Sequence, residues 1–220
     1  MGRVGDIFRL SPRMLSPVVR AYERRLQRYG PTARGVFWKD ADWQLRRYQV
    51  LERIFDADAD AGGVTIHDFG CGYGGLFEYL ADKPVMRMSR YIGTDMSRAM
   101  IEAAKARIDD PRAHFVRGVG AVEDADYTLV SGTYNMHMGA DPAAWADYIK
   151  ASLMQIWART RRGLAFNLLS HDSAEQFDGL YYADPLAFLE FSREKLSETA
   201  EIATDPPLPD FTIFVRRSKS

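Results

Sequence analysis

The stretch that decides the fold is DFGCGYGG, from Asp68 to Gly75. It follows a short β-rich run, VTIHDF (residues 64–69), and precedes a helix-like segment at about residues 76–81. Glycine lacks a Cβ atom, so a ligand can approach the backbone of such a turn closely. The first turn of the following helix also offers free N–H groups. The pattern therefore predicts a ligand-binding turn between a strand and a helix.

An acidic residue, Asp95, lies 20 residues beyond Gly75, at the end of a second predicted strand. A carboxylate at that place can accept hydrogen bonds from both hydroxyl groups of a ribose. Gly70, Gly72 and Gly75 also fit the G-x-G-x-x-G pattern of dinucleotide sites, which alone does not identify the cofactor. The turn and the acid together indicate a cofactor that contains a nucleoside.

Predicted strands and helices alternate on both sides of this turn. The strands lie at residues 64–69, 91–94, 114–116, 127–131, 164–169, 198–203 and 211–216, and the helices at 76–81, 97–108, 142–160 and 185–195. Such alternation is typical of an α/β fold whose parallel sheet has helices on both faces. The last two strands are joined by a short loop that contains prolines, which predicts that the final strand is antiparallel.

The N-terminal part differs from the rest in charge. Residues 1–55 contain twelve Lys and Arg but five acidic residues, a net charge of +7, against −8 for the remainder. Helices are predicted at residues 18–29 and 40–55, and a polar linker follows at Asp58–Gly63. We therefore predict a helical N-terminal cap (residues 1–57) and an α/β domain (residues 58–220). The basic residues either face solvent on amphipathic helices or bring cations to an acidic ligand.

The composition excludes several classes of protein. The 220-residue chain has a net charge of −1, a single cysteine, and no apolar run of the roughly 20 residues that a membrane span needs. It has no Cys/His spacing typical of a zinc site. We expect a cytoplasmic protein without a membrane segment or a disulfide. Nucleic acid is not a favoured partner, and a homodimer remains open.

Motif by motif, the chain resembles a known enzyme family. The stretch from Asp68 to Gly75 resembles motif I of class I S-adenosylmethionine-dependent methyltransferases, and YIGTDMS (residues 91–97) resembles their second acidic motif. Asp68 agrees with this, because a carboxylate two residues before Gly70 is unfavourable for a pyrophosphate. The resemblance covers roughly residues 60–216. It implies a Rossmann-like seven-stranded sheet, mostly parallel with an antiparallel terminal strand, and S-adenosylmethionine as the cofactor.

A narrower resemblance extends over nearly the whole chain. The matching segments are residues 30–38, Gln44, Arg47, and residues 126–135, 180–185 and 208–212. They resemble a bacterial subgroup of small-molecule methyltransferases whose substrates are poorly defined. This implies a small-molecule methyl acceptor but does not name it.

The family resemblance also implies which residues bind the cofactor. Gly70, Cys71 and Gly72 would line its methionyl end, Asp95 would hold the ribose, and Met96 would pack on adenine. The family often has an acidic residue after the third strand, which this chain lacks, so a backbone carbonyl near Gly118 would replace it. The predicted cofactor-binding residues are Trp38, Arg47, Asp68, Gly70, Cys71, Gly72, Asp95, Met96, Gly118 and Ser131, with Arg47 meeting the cofactor's carboxylate.

Methyl transfer from a sulfonium is an in-line displacement, so the enzyme mainly aligns the nucleophile and excludes water. An alcohol or ammonium acceptor also needs a base. His137 and His171 are the candidate bases, because both follow strands at the ends where open α/β sheets bind ligands. The predicted substrate-binding residues are Tyr134, Asn135, Tyr181 and Tyr182. No acidic cluster suggests a metal ion.

Several alternatives remain open beside a small-molecule methyltransferase. Within the same fold, the acceptor could be a peptide or RNA, and the basic N-terminal segment keeps RNA under consideration. A different enzyme class, an NAD(P)-dependent oxidoreductase, would also use a glycine-rich turn. A non-catalytic subunit that binds the cofactor for a partner is the third alternative.

Overall fold

The computed structural model describes residues 4–218, with side chains from Arg13 onward except that of Ala57. Six helices surround one sheet: α1 (Val4–Tyr29), α2 (Ala41–Leu51), α3 (Gly75–Leu80), α4 (Arg98–Arg107), α5 (Pro142–Ala158) and α6 (Pro185–Lys195). The strands are β1 (Thr65–Phe69), β2 (Arg90–Asp95), β3 (Ala113–Arg117), β4 (Ala125–Val130), β5 (Thr160–Ser170), β6 (Tyr182–Ala183), β7 (Glu201–Thr204) and β8 (Asp210–Arg216).

The sheet has the predicted mixed topology. Its strand order is β3-β2-β1-β4-β5-β8-β7, and the two-residue β6 pairs with the end of β5. Strands β1 to β5 pair in parallel, whereas β8 is antiparallel to both of its neighbours. The strand order reverses between β1 and β4, and ligands of open α/β sheets bind at the carboxyl ends of the strands at such a point. The predicted fold class is confirmed, although β6 was not predicted.

Apolar side chains cover both faces of the sheet. Trp145 and Leu153 of α5 pack with Phe166 on one face. On the other face, Leu51 of α2 and Ile66 of β1 belong to a second buried cluster. Burial of this kind, at about 25 cal/mol per Å² of apolar surface, is the main stabilising contribution to the fold.

The cap is helical, but α1 is longer than predicted. We expected a helix at residues 18–29, because the Ser-Pro pair before it is typical of a helix start. The helix instead passes through Pro17 without interruption. A proline inside a helix removes one backbone hydrogen bond. Burial of Leu15, Val18 and Ala21 in the cluster that contains Trp145 offsets this loss.

The second cap helix ends earlier than predicted. Helix α2 stops at Leu51, and residues Glu52–Asp58 form tighter 3₁₀ turns interrupted at Asp56, where φ is 45°. Both cap helices share apolar clusters with the sheet, because Leu15 lies in one cluster and Leu51 in the other. The boundary at residue 57 therefore stays a prediction.

None of the helices within residues 4–218 has both the length and the apolar surface needed to cross a bilayer.

Candidate active site

A first cavity lies at the carboxyl ends of β1, β2 and β4, where the strand order reverses. Its floor includes the turn after β1, with Gly70 and Gly72, and the end of β2, with Asp95. Nine of the ten predicted cofactor-binding residues line it: Trp38, Asp68, Gly70, Cys71, Gly72, Asp95, Met96, Gly118 and Ser131. The structure thus brings these residues together, and their roles toward a cofactor stay predictions.

The turn after β1 exposes its backbone to this cavity. The N–H groups of Gly70 and Cys71 both donate to the Thr94 carbonyl, at 2.7 and 3.0 Å, which ties the turn to β2. Gly70 has a φ of +79°, and a Cβ atom there would lie 2.3 Å from Oγ1 of Thr133. Only glycine fits this position, so the bare backbone forms the cavity floor.

Asp95 joins the turn to the start of α4. Its Oδ2 accepts from the N–H of Gly72 at 3.0 Å and its Oδ1 from the N–H of Ser97 at 2.8 Å. Burial raises the pKa of Asp95 to about 6. Both oxygens retain further acceptor sites, since a carboxylate has about four lone-pair positions. The side chain is therefore placed to accept hydroxyl groups of a ligand.

A second carboxylate, Asp68, faces the same cavity from β1. It is 2% exposed and accepts a hydrogen bond from the Tyr91 hydroxyl. The pKa of Asp68 is raised to about 7, mainly by burial. The negative charge of the nearby Asp95 acts in the same direction, whereas the hydrogen bond from Tyr91 lowers the pKa. A cationic ligand group beside Asp68 would favour the ionised carboxylate. The cavity is thus suited to a ligand that carries a positive charge.

Ser131, directly after β4, supplies a polar group that the protein does not use. Its buried Oγ has no hydrogen-bond partner among the described residues, although Ser131 lines the cavity. Buried polar groups without partners are rare, and a ligand is one way to satisfy them. A glycine cradle, two carboxylates and a free hydroxyl together fit a nucleoside-containing, positively charged cofactor.

Cys71 lines the same cavity but has no nucleophilic character. Its thiol is buried, and burial together with the negative charge of Asp68 raises its pKa well above the usual value. The neutral thiol is a poor nucleophile. Cys71 therefore acts as part of the cavity wall.

Helix α1 forms the roof of the cavity, which the sequence reasoning missed. Leu15, Val18 and Tyr22 project into it from α1. Glu23, on the same helix, accepts a hydrogen bond from the Ser97 hydroxyl at 3.0 Å and so fastens α1 to the start of α4. The spacing of the three apolar residues is helical and could have indicated a buried face, but not what that face covers.

A second, more open cavity adjoins the first. It lies beyond the carboxyl end of β5 and is lined by three of the six predicted catalytic and substrate-binding residues: Asn135, His171 and Tyr182. Four residues line both cavities: Tyr22, Val36, Trp38 and Gly132. Of these four, the Trp38 indole lies directly against Gly132, and these two residues together are called the partition below.

Three of the predicted catalytic and substrate-binding residues, Tyr134, His137 and Tyr181, line neither cavity, and their roles stay predictions. Tyr134 is 1% exposed, and its hydroxyl is bonded to Oγ of Ser152 at 2.8 Å, so it is a core residue. The ring Nδ1 of His137 is bonded to the Ala140 carbonyl at 2.8 Å. Its ring packs against that of Tyr181, with centroids 6.5 Å apart.

Arg47 is the one predicted cofactor-binding residue that does not line the first cavity. It lines only the second cavity, and its guanidinium forms a buried two-point ion pair with Asp210. A third donor, Nη1, is bonded to the Trp43 carbonyl at 2.9 Å. The carboxylate that Arg47 binds in this structure comes from the protein itself, and its contact with the cofactor's carboxylate stays a prediction.

Among the described residues, no three His, Cys, Asp or Glu side chains are gathered closely enough to hold a metal ion.

Comparison with known proteins gives one family match and a related sequence. A family model described as a methyltransferase domain matches residues 67–155. A relative from Mycobacterium tuberculosis (strain ATCC 25618 / H37Rv), whose name classes it as a methyltransferase, is 34% identical over 157 residues. That alignment covers 70% of this chain and 93% of the relative.

Solved structures share the fold at low sequence identity. The magnesium protoporphyrin IX methyltransferase (ChlM) of Synechocystis PCC 6803, with bound SAH (S-adenosylhomocysteine), has a TM-score of 0.61 and 12% identity. It covers 80% of this chain and 84% of its own. The plantazolicin methyltransferase BpumL in complex with SAH has a TM-score of 0.59 and 14% identity, over 99% of this chain and 100% of its own. The match to BpumL therefore includes the helical N-terminal part of this chain.

Proposed function

The chain belongs to the S-adenosylmethionine-dependent methyltransferases, and we propose that it transfers the cofactor's methyl group to an oxygen or nitrogen atom of a small molecule. The main support for this proposal is that the two cavities adjoin each other at the partition of Trp38 and Gly132. The first cavity fits the cofactor, and the second is an adjoining place for the acceptor. An in-line displacement requires this arrangement, because the acceptor must approach from the side opposite the leaving sulfur.

The walls of the second cavity indicate the character of the acceptor. They are mainly aromatic and aliphatic, with Trp43, Met136, Tyr182 and Leu186 among them. The exposed carboxylates of Asp172 and Glu175 also lie on this wall. An acceptor with an apolar body and without a strong negative charge fits such a surface. The ChlM and BpumL names, which state porphyrin and plantazolicin acceptors, support a small molecule over RNA.

The bound cofactor would supply the methyl group as an activated sulfonium. The residues of this chain would hold it: Asp95 accepts hydroxyl groups, and Asp68 faces a cationic group. Helix α1 covers the first cavity and excludes water, which prevents loss of the methyl group to solvent. The NAD(P)-dependent oxidoreductase alternative is contradicted by the family assignment.

His171 is the base that this geometry favours. It lines the second cavity, whereas His137 does not. Its Nε2 lies 3.1 Å from Oδ1 of Asp172, so Nδ1 is left to take a proton from an alcohol or ammonium acceptor. An acid that holds the imidazole in one tautomer is a common arrangement for a catalytic histidine.

A cytoplasmic location and a homodimer stay predictions.

Calorimetric titration tests the cofactor assignment. We expect S-adenosylhomocysteine to bind the purified full chain with micromolar affinity, and NAD and NADP run alongside to give no heat of binding. Binding of a nicotinamide dinucleotide alone would overturn the proposed function. Turnover by the purified chain with an acceptor would exclude a non-catalytic subunit.

Replacing His171 with alanine is expected to lower turnover by at least roughly tenfold, because general base catalysis contributes about 10²- to 10⁴-fold. Turnover is measured as S-adenosylhomocysteine release with an acceptor found by screening amines and alcohols. His137→Ala is the matched control and should change turnover by less than about twofold, since His137 lines neither cavity. If His171→Ala is as active as the wild type, His171 is not the base.

A further inference from the structure

A buried set of polar side chains connects the cap to the partition between the two cavities. We propose that Arg47, Asp210 and Asn167 form a positioning unit that holds Trp38 and Gly132 in place. This inference rests on the proposed function, because the position of the partition matters for catalysis only if a group passes between the cavities. None of the three residues lines the first cavity, and we assign them a positioning role through the partition.

The unit begins with an ion pair between α2 and the start of β8. Nε and Nη2 of Arg47 donate to the two carboxylate oxygens of Asp210. The two residues are 4% and 6% exposed. Removing charges from water is unfavourable unless the geometry is good and the remaining polar atoms are satisfied. This pair meets both conditions, because further hydrogen bonds surround it.

Asn167, on β5, extends the unit to the partition. Its Nδ2 donates to Oδ2 of Asp210, and its Oδ1 accepts from the Gly132 N–H at 2.7 Å. Asn167 is 1% exposed. The carboxylate needs a donor and the backbone N–H needs an acceptor, so these two partners determine which way the amide points. The charge pair therefore sets the position of the Gly132 backbone.

Arg47 reaches the other half of the partition directly. Its guanidinium carbon lies 4.2 Å from the centre of a Trp38 ring. The Trp38 indole in turn sits against Gly132, where an added Cβ atom would lie 2.4 Å from it. One guanidinium group thus holds Trp38 by stacking and Gly132 through Asp210 and Asn167.

This double role depends on the chemistry of arginine. A planar guanidinium can bind a carboxylate at two points and stack on an aromatic ring at the same time. A lysine ammonium is a point charge that does neither in the same way. The variant Arg47→Lys therefore keeps the buried charge of the pair but loses the hold on the partition.

The test uses nuclear magnetic resonance of the ¹⁵N-labelled full chain, free and with S-adenosylhomocysteine. In Arg47→Lys, we expect the Gly132 amide and the Trp38 indole N–H resonances to shift. Turnover should fall by about 10- to 100-fold, as expected when reacting groups are misplaced. S-adenosylhomocysteine affinity should fall by less than turnover does, because Arg47 does not line the first cavity and acts on it only through Trp38 and Gly132.

Arg216→Lys is the matched control. Arg216 also forms a two-point ion pair between β8 and the N-terminal part of the chain, with Asp56, and contacts neither partition residue. Neither resonance should move in that variant. If both resonances also stay in place in Arg47→Lys, the inference is wrong. A wild type that fails to bind S-adenosylhomocysteine would instead refute the proposed function, and the resonances of the free protein would still report on the unit.

A second variant covers the case in which Arg47→Lys does not fold. Asn167→Ala removes no charge and cuts only the connection between Asp210 and Gly132. We expect the Gly132 amide resonance to shift while the Trp38 indole resonance stays in place, because the stacking of Arg47 on Trp38 is retained. An unchanged Gly132 resonance would overturn the inference.

Discussion

Asp95→Ala is expected to weaken S-adenosylhomocysteine binding by about 1–3 kcal/mol, the contribution of hydrogen bonds to a charged acceptor. The loss should be at the upper end of that range. Besides its proposed contact with the ribose, Asp95 accepts the N–H groups of Gly72 and Ser97 and so positions the turn after β1. Calorimetric titration of the wild type and the variant measures the difference.

Asp141→Ala is a matched control for the loss of a carboxylate at a helix start. Asp141 accepts the Ala144 N–H at 2.9 Å at the start of α5 and lines neither cavity. The variant should lose up to about 1 kcal/mol of stability and bind S-adenosylhomocysteine normally. An Asp95→Ala variant that binds as tightly as the wild type would refute the ribose assignment.

The raised pKa of Asp95 predicts a pH dependence of the same binding reaction. Ribose hydroxyls donate to the ionised carboxylate, which exists above its pKa of about 6 in the free protein. The affinity of the wild type should therefore fall as the pH is lowered from about 8 to about 5. Asp68, with a pKa of about 7, contributes in the same direction. The fall should be smaller in Asp95→Asn, and an affinity that is constant with pH in the wild type would contradict the assignment.

The turn and the acid after β2 could be predicted from sequence because their determinants are local. The positive φ values of Gly70 and Gly72 require glycine where they occur, and Asp95 follows its strand directly. The alternation of strands and helices likewise follows from short-range apolar patterns. These features place the first cavity without knowledge of distant contacts.

The role of Arg47 could not be predicted in this way. Its partner, Asp210, is 163 residues away in the sequence, and nothing near Arg47 indicates that a carboxylate will face it. The same applies to Tyr134, a polar aromatic residue in the loop after β4 that the structure buries against Ser152. Position at a strand end predicts that a residue is near the site, but packing decides which way its side chain points.

The roof of the first cavity shows a third limit. The apolar residues Leu15, Val18 and Tyr22 have helical spacing, which indicates a buried face but not its partner. Only the fold shows that this face covers the first cavity as well as contributing to the core. The cap is therefore the part of the site for which the sequence was least informative.

Gly70→Ala is expected to lower the free energy of unfolding by about 2–4 kcal/mol and to weaken S-adenosylhomocysteine binding by more than roughly tenfold. Alanine at a φ of +79° is strained, and its Cβ atom would lie 2.3 Å from Oγ1 of Thr133. Thr133 cannot move freely, because its hydroxyl donates to the Phe69 carbonyl at 2.8 Å. The turn itself must therefore shift, and the cofactor loses the backbone surface that it approaches.

Gly139→Ala separates this steric effect from the backbone strain alone. Gly139 has a φ of +85°, lines neither cavity, and has nothing within 4 Å of an added Cβ atom. The free energy of unfolding of Gly139→Ala should therefore fall by only about 1–2 kcal/mol, the cost of the left-handed backbone at alanine. This variant should bind S-adenosylhomocysteine as the wild type does. Denaturant unfolding and calorimetric titration of both variants make the comparison. Equal affinities in the two variants would mean that the turn after β1 does not contact the cofactor, because its displacement would then have no effect on binding.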